Sequence, residues 1–257
     1  MPMLTNLKTT IVAIGGGDLG TFETLAIDQE VVRLTEKSEP RALFIPTASG
    51  DSEDYWQNFQ QVYGHRLGCK TEVLWLLKET PSQEQMQEKI LGADLIYVGG
   101  GNTLRMMKRW RKLGVDALLR QAADKGTVLA GLSAGAICWC NYGHSDSMKF
   151  SNPNRWQFIR VQGLGILDTT ICPHYHSEHR EADFAQMVRK YPLHRGLALD
   201  DNTAIVVRNG GWRILHSQPD ARAYWLYMRY GQVMIRRLEQ NAEPYPLSFL
   251  LYMVPVD

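Results

Sequence analysis

The sequence predicts an α/β fold, a doubly wound and mostly parallel sheet with helices on both faces and an antiparallel C-terminal extension. Through the first two thirds of the chain, short apolar runs alternate with longer amphipathic segments, the order that right-handed crossovers produce. The runs are apolar on both faces, as strands of a covered parallel sheet must be. Beyond residue 200 the runs follow one another closely, with turns instead of helices between them.

The strands are expected at "TTIVAIG" (9–15), "RALFIPT" (41–47), "TEVLWL" (71–76), "ADLIYVG" (93–99) and "TVLAG" (127–131). Between them, residues 21–37 put Leu25, Val31, Val32 and Leu34 on one helical face. Helices follow at 52–67, 82–92 and 103–125, the last broken near Gly114. In the last third, "GLALD" (196–200), "TAIVVR" (203–208), "WRILHS" (212–217), "AYWLYMR" (223–229) and "QVMIRRL" (232–238) read as strands, with "RNGGW" a hairpin turn because Asn and Gly tolerate positive φ. We expect one domain over 1–257, a parallel core at about 9–200 extended within the same sheet by about 203–238. Nothing reads as a linker or a repeat.

The 28 basic residues stand against 27 acidic ones without a block of like charge, so neither nucleic acid nor an anionic membrane is an expected partner. No run of eighteen apolar residues occurs, and "MPMLTNLKTT" lacks the pattern of a signal peptide; a cytoplasmic protein is expected. The four cysteines form no CxxC pair and read as reduced, buried thiols.

Three glycine clusters each follow a strand. In "GLSAG", Gly131, Ser133 and Gly135 fit a serine held on a sharp strand-to-helix turn, where flanking side chains would collide with the turn. The Ala134 amide and the helix N-terminus would then face an oxyanion formed beside Ser133. The same serine reads equally as a helix N-cap. In "YVGGGNTLRMM" (97–107), Gly100 and Gly101 can supply a second oxyanion donor, or the loop can be a phosphate cradle or a plain turn capped by Asn102 or Thr103. "GGGDLG" (15–20) fits a dinucleotide loop, but that reading needs an acid about twenty residues later, and Asp51 lies well beyond. Cofactor binding is therefore the weaker reading, and no cofactor is expected.

"ICPHYHSEHREADF" (171–184) offers His174, His176 and His179, either as a metal cluster or as one catalytic histidine at a strand end with two loop residues. No metal is expected, because the stretch runs from strand through loop into helix. Asp201 ends the next strand and Asp146 sits in "YGHSDS"; each also reads as a turn or cap residue. Ligands of open parallel sheets bind beyond the carboxyl ends of the strands, where Gly100, Ser133, His174 and Asp201 all fall. A hydroxyl, a base, an acid and amide donors on one edge point to acyl transfer.

The motifs "VGGGNT" (98–103), "GLSAGA" (131–136), "GLGIL" (163–167), "PHY" (173–175) and "HREADF" (179–184) resemble the peptidase E and cyanophycinase family of serine peptidases. The resemblance spans most of the chain through about residue 210. It implies a fold related to class I glutamine amidotransferases, Ser133 as nucleophile, His174 as base, and Gly100, Gly101 and Ala134 around the oxyanion. Asp146 and Asp201 both match acids that would hold the imidazole, with Asp146 slightly favoured. Arg180 matches an arginine that binds the side-chain carboxylate of substrates beginning with aspartate, and Asn102 is a second substrate-binding candidate. The segment between His174 and Arg180 is shorter than in enterobacterial members, which opens a broader specificity.

The expectation is a metal-independent serine peptidase that hydrolyses short peptides, foremost dipeptides with N-terminal aspartate, through a Ser-His-Asp triad and an acyl-enzyme. A nucleotide- or cofactor-binding protein using Gly15 to Gly20, or a relative that binds peptides without cleaving them, are the alternatives. "YPLSFLLYM" (245–253) is expected to serve as core or as a homodimer contact.

Overall fold

The computed structural model describes residues 9–193, 195–241 and 243–248. Five parallel strands form its centre: β1 (Thr10–Ile14), β2 (Arg41–Ile45), β3 (Lys70–Val73), β4 (Leu95–Val98) and β5 (Val128–Leu132). They lie in the order β1-β5-β4-β2-β3. Helices α1 (Leu25–Arg33), α2 (Glu53–Phe59), α3 (Gln83–Gly92), α4 (Thr103–Leu113) and α5 (Val115–Lys125) connect them. Local chemistry sets their ends. Ser82 and Gln85 form a reciprocal capping box that starts α3. Gly114, at φ 75°, separates α4 from α5 as the sequence predicts.

Beyond β5 come α6 (Ala134–Trp139), β6 (Cys140–Ser145), β7 (Ile159–Gln162), β8 (Leu167–Cys172), α7 (Glu181–Lys190) and β9 (Gly196–Leu199). The chain ends in β10 (Thr203–Arg208), β11 (Gly211–His216), β12 (Ala223–Arg229), β13 (Gln232–Leu238) and β14 (Tyr245–Pro246). Here the expectation of a single sheet needs correction. β10 does pair antiparallel with β1, and β11 and β14 continue the sheet as successive antiparallel neighbours, giving β14-β11-β10-β1-β5-β4-β2-β3. β12 and β13 instead join a second sheet, β13-β12-β9-β8-β6-β7, whose inner strands β6, β8 and β9 run parallel. The cause is visible after Ser133: α6 has only 6 residues, too short to carry the chain back across the first sheet, and β6 starts a new one.

The two sheets share a core. Ile11, Leu129 and Ile205 of the first belong to one buried cluster with Ile171, Leu197 and Trp225 of the second. The other face of the first sheet packs Val12, Phe44 and Tyr97 under Ile27 and Val31 of α1 and Phe59 of α2. In the C-terminal stretch Leu247 is buried, and residues 249–253 lie outside the described residues.

Candidate active site

Ser133 follows β5 at φ 55°, ψ −106°, a strained conformation for a residue with a Cβ. Its N–H donates to the carbonyl of Ile14 at 3.0 Å, and its own carbonyl accepts from the amides of Ala136 and Ile137, which opens α6. The flanking glycines are sterically required. A Cβ at Gly131 would sit 2.6 Å from the Gly135 carbonyl, and one at Gly135 would sit 2.0 Å from the Val98 oxygen. Ala134, 1% exposed, is the first residue of α6, where backbone amides have no partner within the helix.

His174 follows β8 and Asp201 follows β9, the neighbouring parallel strand. His174 Nδ1 lies 2.6 Å from Asp201 Oδ1, with the two side chains 20% and 34% exposed. Burial alone would raise the Asp201 pKa, but the hydrogen bond and charge of His174 outweigh it and hold the carboxyl below its ordinary 3.8. The pair is seated on the first glycine cluster: the His174 N–H donates to the Gly15 carbonyl at 3.2 Å and the Asn202 N–H to the Gly16 carbonyl at 2.9 Å. A Cβ on Gly16 would fall 1.9 Å from Asp201 Oδ1 and 2.4 Å from His174 Nδ1. The glycines of "GGGDLG" thus make room for an imidazole and a carboxylate, a steric reason that the motif reading did not contain.

Ser133 and His174 line one cavity of about 380 Å³ with Gly100, Gly101 and Tyr55; Asp18 and Asn58 stand at its wall. Larger hollows of about 640 and 770 Å³ lie elsewhere, one around Thr10, Asp94 and Thr127 near the amino ends of the strands, the other beside Trp212. The Ser133 cavity is smaller than these, but it lies at the carboxyl edge of the sheet, where ligands of open parallel sheets bind.

Other expected site residues are engaged differently. The slight preference for Asp146 gives way, because the imidazole of His174 is turned onto Asp201. Asp146 precedes the 3-10 turn Ser147–Phe150, where its carbonyl accepts from the Lys149 amide at 2.8 Å. Asn102 is the N-cap of α4: its Oδ1 accepts from the Arg105 amide at 2.9 Å and its Nδ2 donates to the Ser147 carbonyl at 3.4 Å. Arg180 is 1% exposed, with its guanidinium donating to Glu178 and, at 2.9 Å, to the His144 carbonyl. It does not line the Ser133 cavity. His176 bonds to Asp200 at 2.8 Å, and among the described residues no group of three or more His, Cys, Asp or Glu is arranged to hold a metal.

Two features escaped the sequence reading. Tyr55 enters the cavity from α2, a segment read only as an amphipathic helix. His144 is fully buried between Asp183, 2.7 Å from its Nε2, and Cys172, 3.6 Å from its Nδ1. Burial pushes the imidazole down to about 4 and raises the Cys172 thiol above its usual range.

A serine on a strained strand-to-helix turn that shares a carboxyl-edge cavity of an α/β fold with a histidine paired to a carboxylate fits the class of hydrolytic enzymes that includes peptidases. The model of peptidase family S51 matches residues 11–215, and the chain belongs to that family. It is 34% identical over 243 residues to the uncharacterized peptidase YgaJ of Bacillus subtilis, covering 93% of this chain and 98% of that one. Peptidase E of a Nostoc species is 24% identical over 237 residues, 87% of this chain and 88% of its own. The crystal structure of a peptidase from an acI-B1 actinobacterium shares the fold with a TM-score of 0.69 at 21% identity, over 93% of this chain and 96% of that chain.

Proposed function

We propose that the protein hydrolyses short peptides through a Ser133–His174–Asp201 triad and an acyl-enzyme. The observation that carries this reading is the 2.6 Å His174–Asp201 contact beside a cavity that also holds Ser133. Ser133 Oγ attacks the scissile carbonyl carbon while its proton passes to His174 Nε2. Asp201 keeps the Nδ1 proton in place and stabilises the imidazolium. Collapse of the tetrahedral adduct breaks the C–N bond, and the imidazolium protonates the departing amine. Water repeats the attack on the ester and frees Ser133. The Ala134 amide, at the start of α6, is a backbone donor to the oxyanion, and Gly100 and Gly101 line the same cavity.

Aspartate at the first substrate position would need a cation for its carboxylate, and Arg180 is committed to Glu178 and the His144 carbonyl. The proposal is therefore a peptidase for short peptides that does not require aspartate. It acts in the cytoplasm, a setting that suits four unpaired, buried cysteines. Among the described residues no helix is long and apolar enough to cross a membrane.

The test is a panel of dipeptides beginning with Asp, Glu, Ala and Leu, given to the wild type and to Ser133→Ala with chelator present. Hydrolysis by the wild type alone is expected; equal rates for both would defeat the proposal, and saturable nucleotide binding without hydrolysis would favour a binding module. In the same assay Asp201→Asn should lower kcat by roughly 10³ to 10⁴, the scale of losing the acid that sets the tautomer. Asp146→Asn should leave kcat within a few-fold; the reverse order would restore Asp146 to the triad.

A further inference from the structure

We infer that Tyr55 is a further catalytic residue, its phenolic hydroxyl donating a hydrogen bond to the oxyanion that forms when Ser133 attacks. The inference rests on the Ser133 nucleophile proposed above. It starts from Gly100, whose N–H is already directed at Tyr55 Oη, 3.4 Å away. Gly100 itself abuts the serine, for a Cβ built on it would lie 3.4 Å from the Cβ of Ser133. The phenolic oxygen therefore occupies the donor side of the same cavity that holds Ser133 and His174.

A phenol can accept one hydrogen bond and donate another. With the Gly100 N–H donating to Oη, the O–H proton is left to point into the cavity, and the amide polarises it through the chain N–H···O–H···O⁻. Burial, and to a lesser extent the charges of Asp28 and Asp18, push this phenol up to about 12, so it holds its proton as a donor must. The ring is also fixed before substrate arrives. Its edge meets Phe44 with centroids 5.1 Å apart, and it packs so closely on Gly99 that a Cβ there would lie 2.8 Å from the ring. The Tyr55 amide donates to Ser52 Oγ, the N-cap of α2, at 3.2 Å. Prior fixation is what makes an oxyanion donor effective, because no reorganisation is needed when charge develops.

Tyr55→Phe keeps the ring and its packing and removes only the hydroxyl. The measurement is the second-order rate at which a fluorophosphonate labels Ser133, since the phosphoryl oxygen of that tetrahedral adduct takes the oxyanion position. It is paired with kcat and KM on whichever dipeptide of the panel the wild type cleaves. We expect labelling and kcat both to fall about 100-fold, the scale of losing one oxyanion donor, with KM within a few-fold and an unchanged melting temperature. Labelling at the wild-type rate, or a rise in KM at constant kcat, would overturn the role. If Tyr55→Phe does not fold, difluorotyrosine at position 55 replaces it: its more acidic hydroxyl should lose activity at an alkaline pH where the wild type keeps it, and an unchanged profile would overturn the role. A wild type that shows no Ser133 labelling removes the nucleophile and this inference together, whereas normal labelling of both proteins removes Tyr55 alone.

Discussion

Gly16 shows how one missing side chain can hold a candidate active site together. Its Cα faces the contact between His174 and Asp201, so a methyl group there must push one of them aside. Both are ends of flexible side chains, and their swinging away is the easiest relief. Gly16→Ala should therefore lower kcat by about 100-fold or more, as displacements near 1 Å do, while thermal stability changes little. Wild-type turnover in that variant would show that the glycine has no part in seating the pair. Strain accumulates at the same spot: Ser133, His174 and Asn202 all have positive φ, at 55°, 51° and 61°. Each costs on the order of 1–3 kcal/mol, which the surrounding backbone hydrogen bonds must offset.

Among the elements, α1 is clamped by a buried carboxyl. Asp28 accepts from Tyr63 Oη at 2.7 Å and from Thr24 Oγ1 at 2.8 Å, which ties α1 to the π-helical turn Gln60–Arg66 that continues α2. Burial raises this carboxyl to about 7, against hydrogen bonds that act to lower it. The folded state then binds the proton more tightly than the unfolded one. Its contribution to stability is complete below about pH 4 and is lost as pH rises through 7, a change on the order of 4 kcal/mol. The unfolding free energy of Asp28→Asn relative to wild type should accordingly climb between pH 4 and 8, as followed by urea titration. A difference independent of pH would mean that the carboxyl titrates normally.

Elements also separate what was legible in the sequence from what was not. β1, β2, β4 and β5 were readable because burial on both faces leaves an unbroken apolar run. β6, "CNYGHS", and β7, "IRVQ", carry polar side chains on partly exposed faces, so their pattern gave no strand signal. The choice of acid was hidden for a topological reason. β8, which leads to His174, lies between β6 and β9, so Asp146 and Asp201 follow its two neighbours. Spatial strand order is not written in local periodicity. What favours Asp201 is that β9 turns into β10, the partner of β1, which brings it against Gly15 and Gly16. Arg180 and Asn102 matched a motif by position, yet burial and capping had already engaged their polar atoms.

For the whole molecule, the shared core makes a prediction about cooperativity. Residues of both sheets interlock in one buried cluster, so neither sheet can lose its partner without exposing apolar surface. Calorimetry should show a single transition, with calorimetric and van't Hoff enthalpies in agreement. Two separated transitions would divide the chain into two domains.

The serine rides on β5 of one sheet, and the histidine and aspartate ride on β8 and β9 of the other. Beside the glycine loop, two backbone hydrogen bonds, to the carbonyls of Gly15 and Gly16, fasten them across the gap. In the triad proposed above, the distance over which a proton must jump is then set by how tightly a seam is stitched, and turnover becomes a gauge of that seam: loosening it would idle the enzyme while every strand stayed folded.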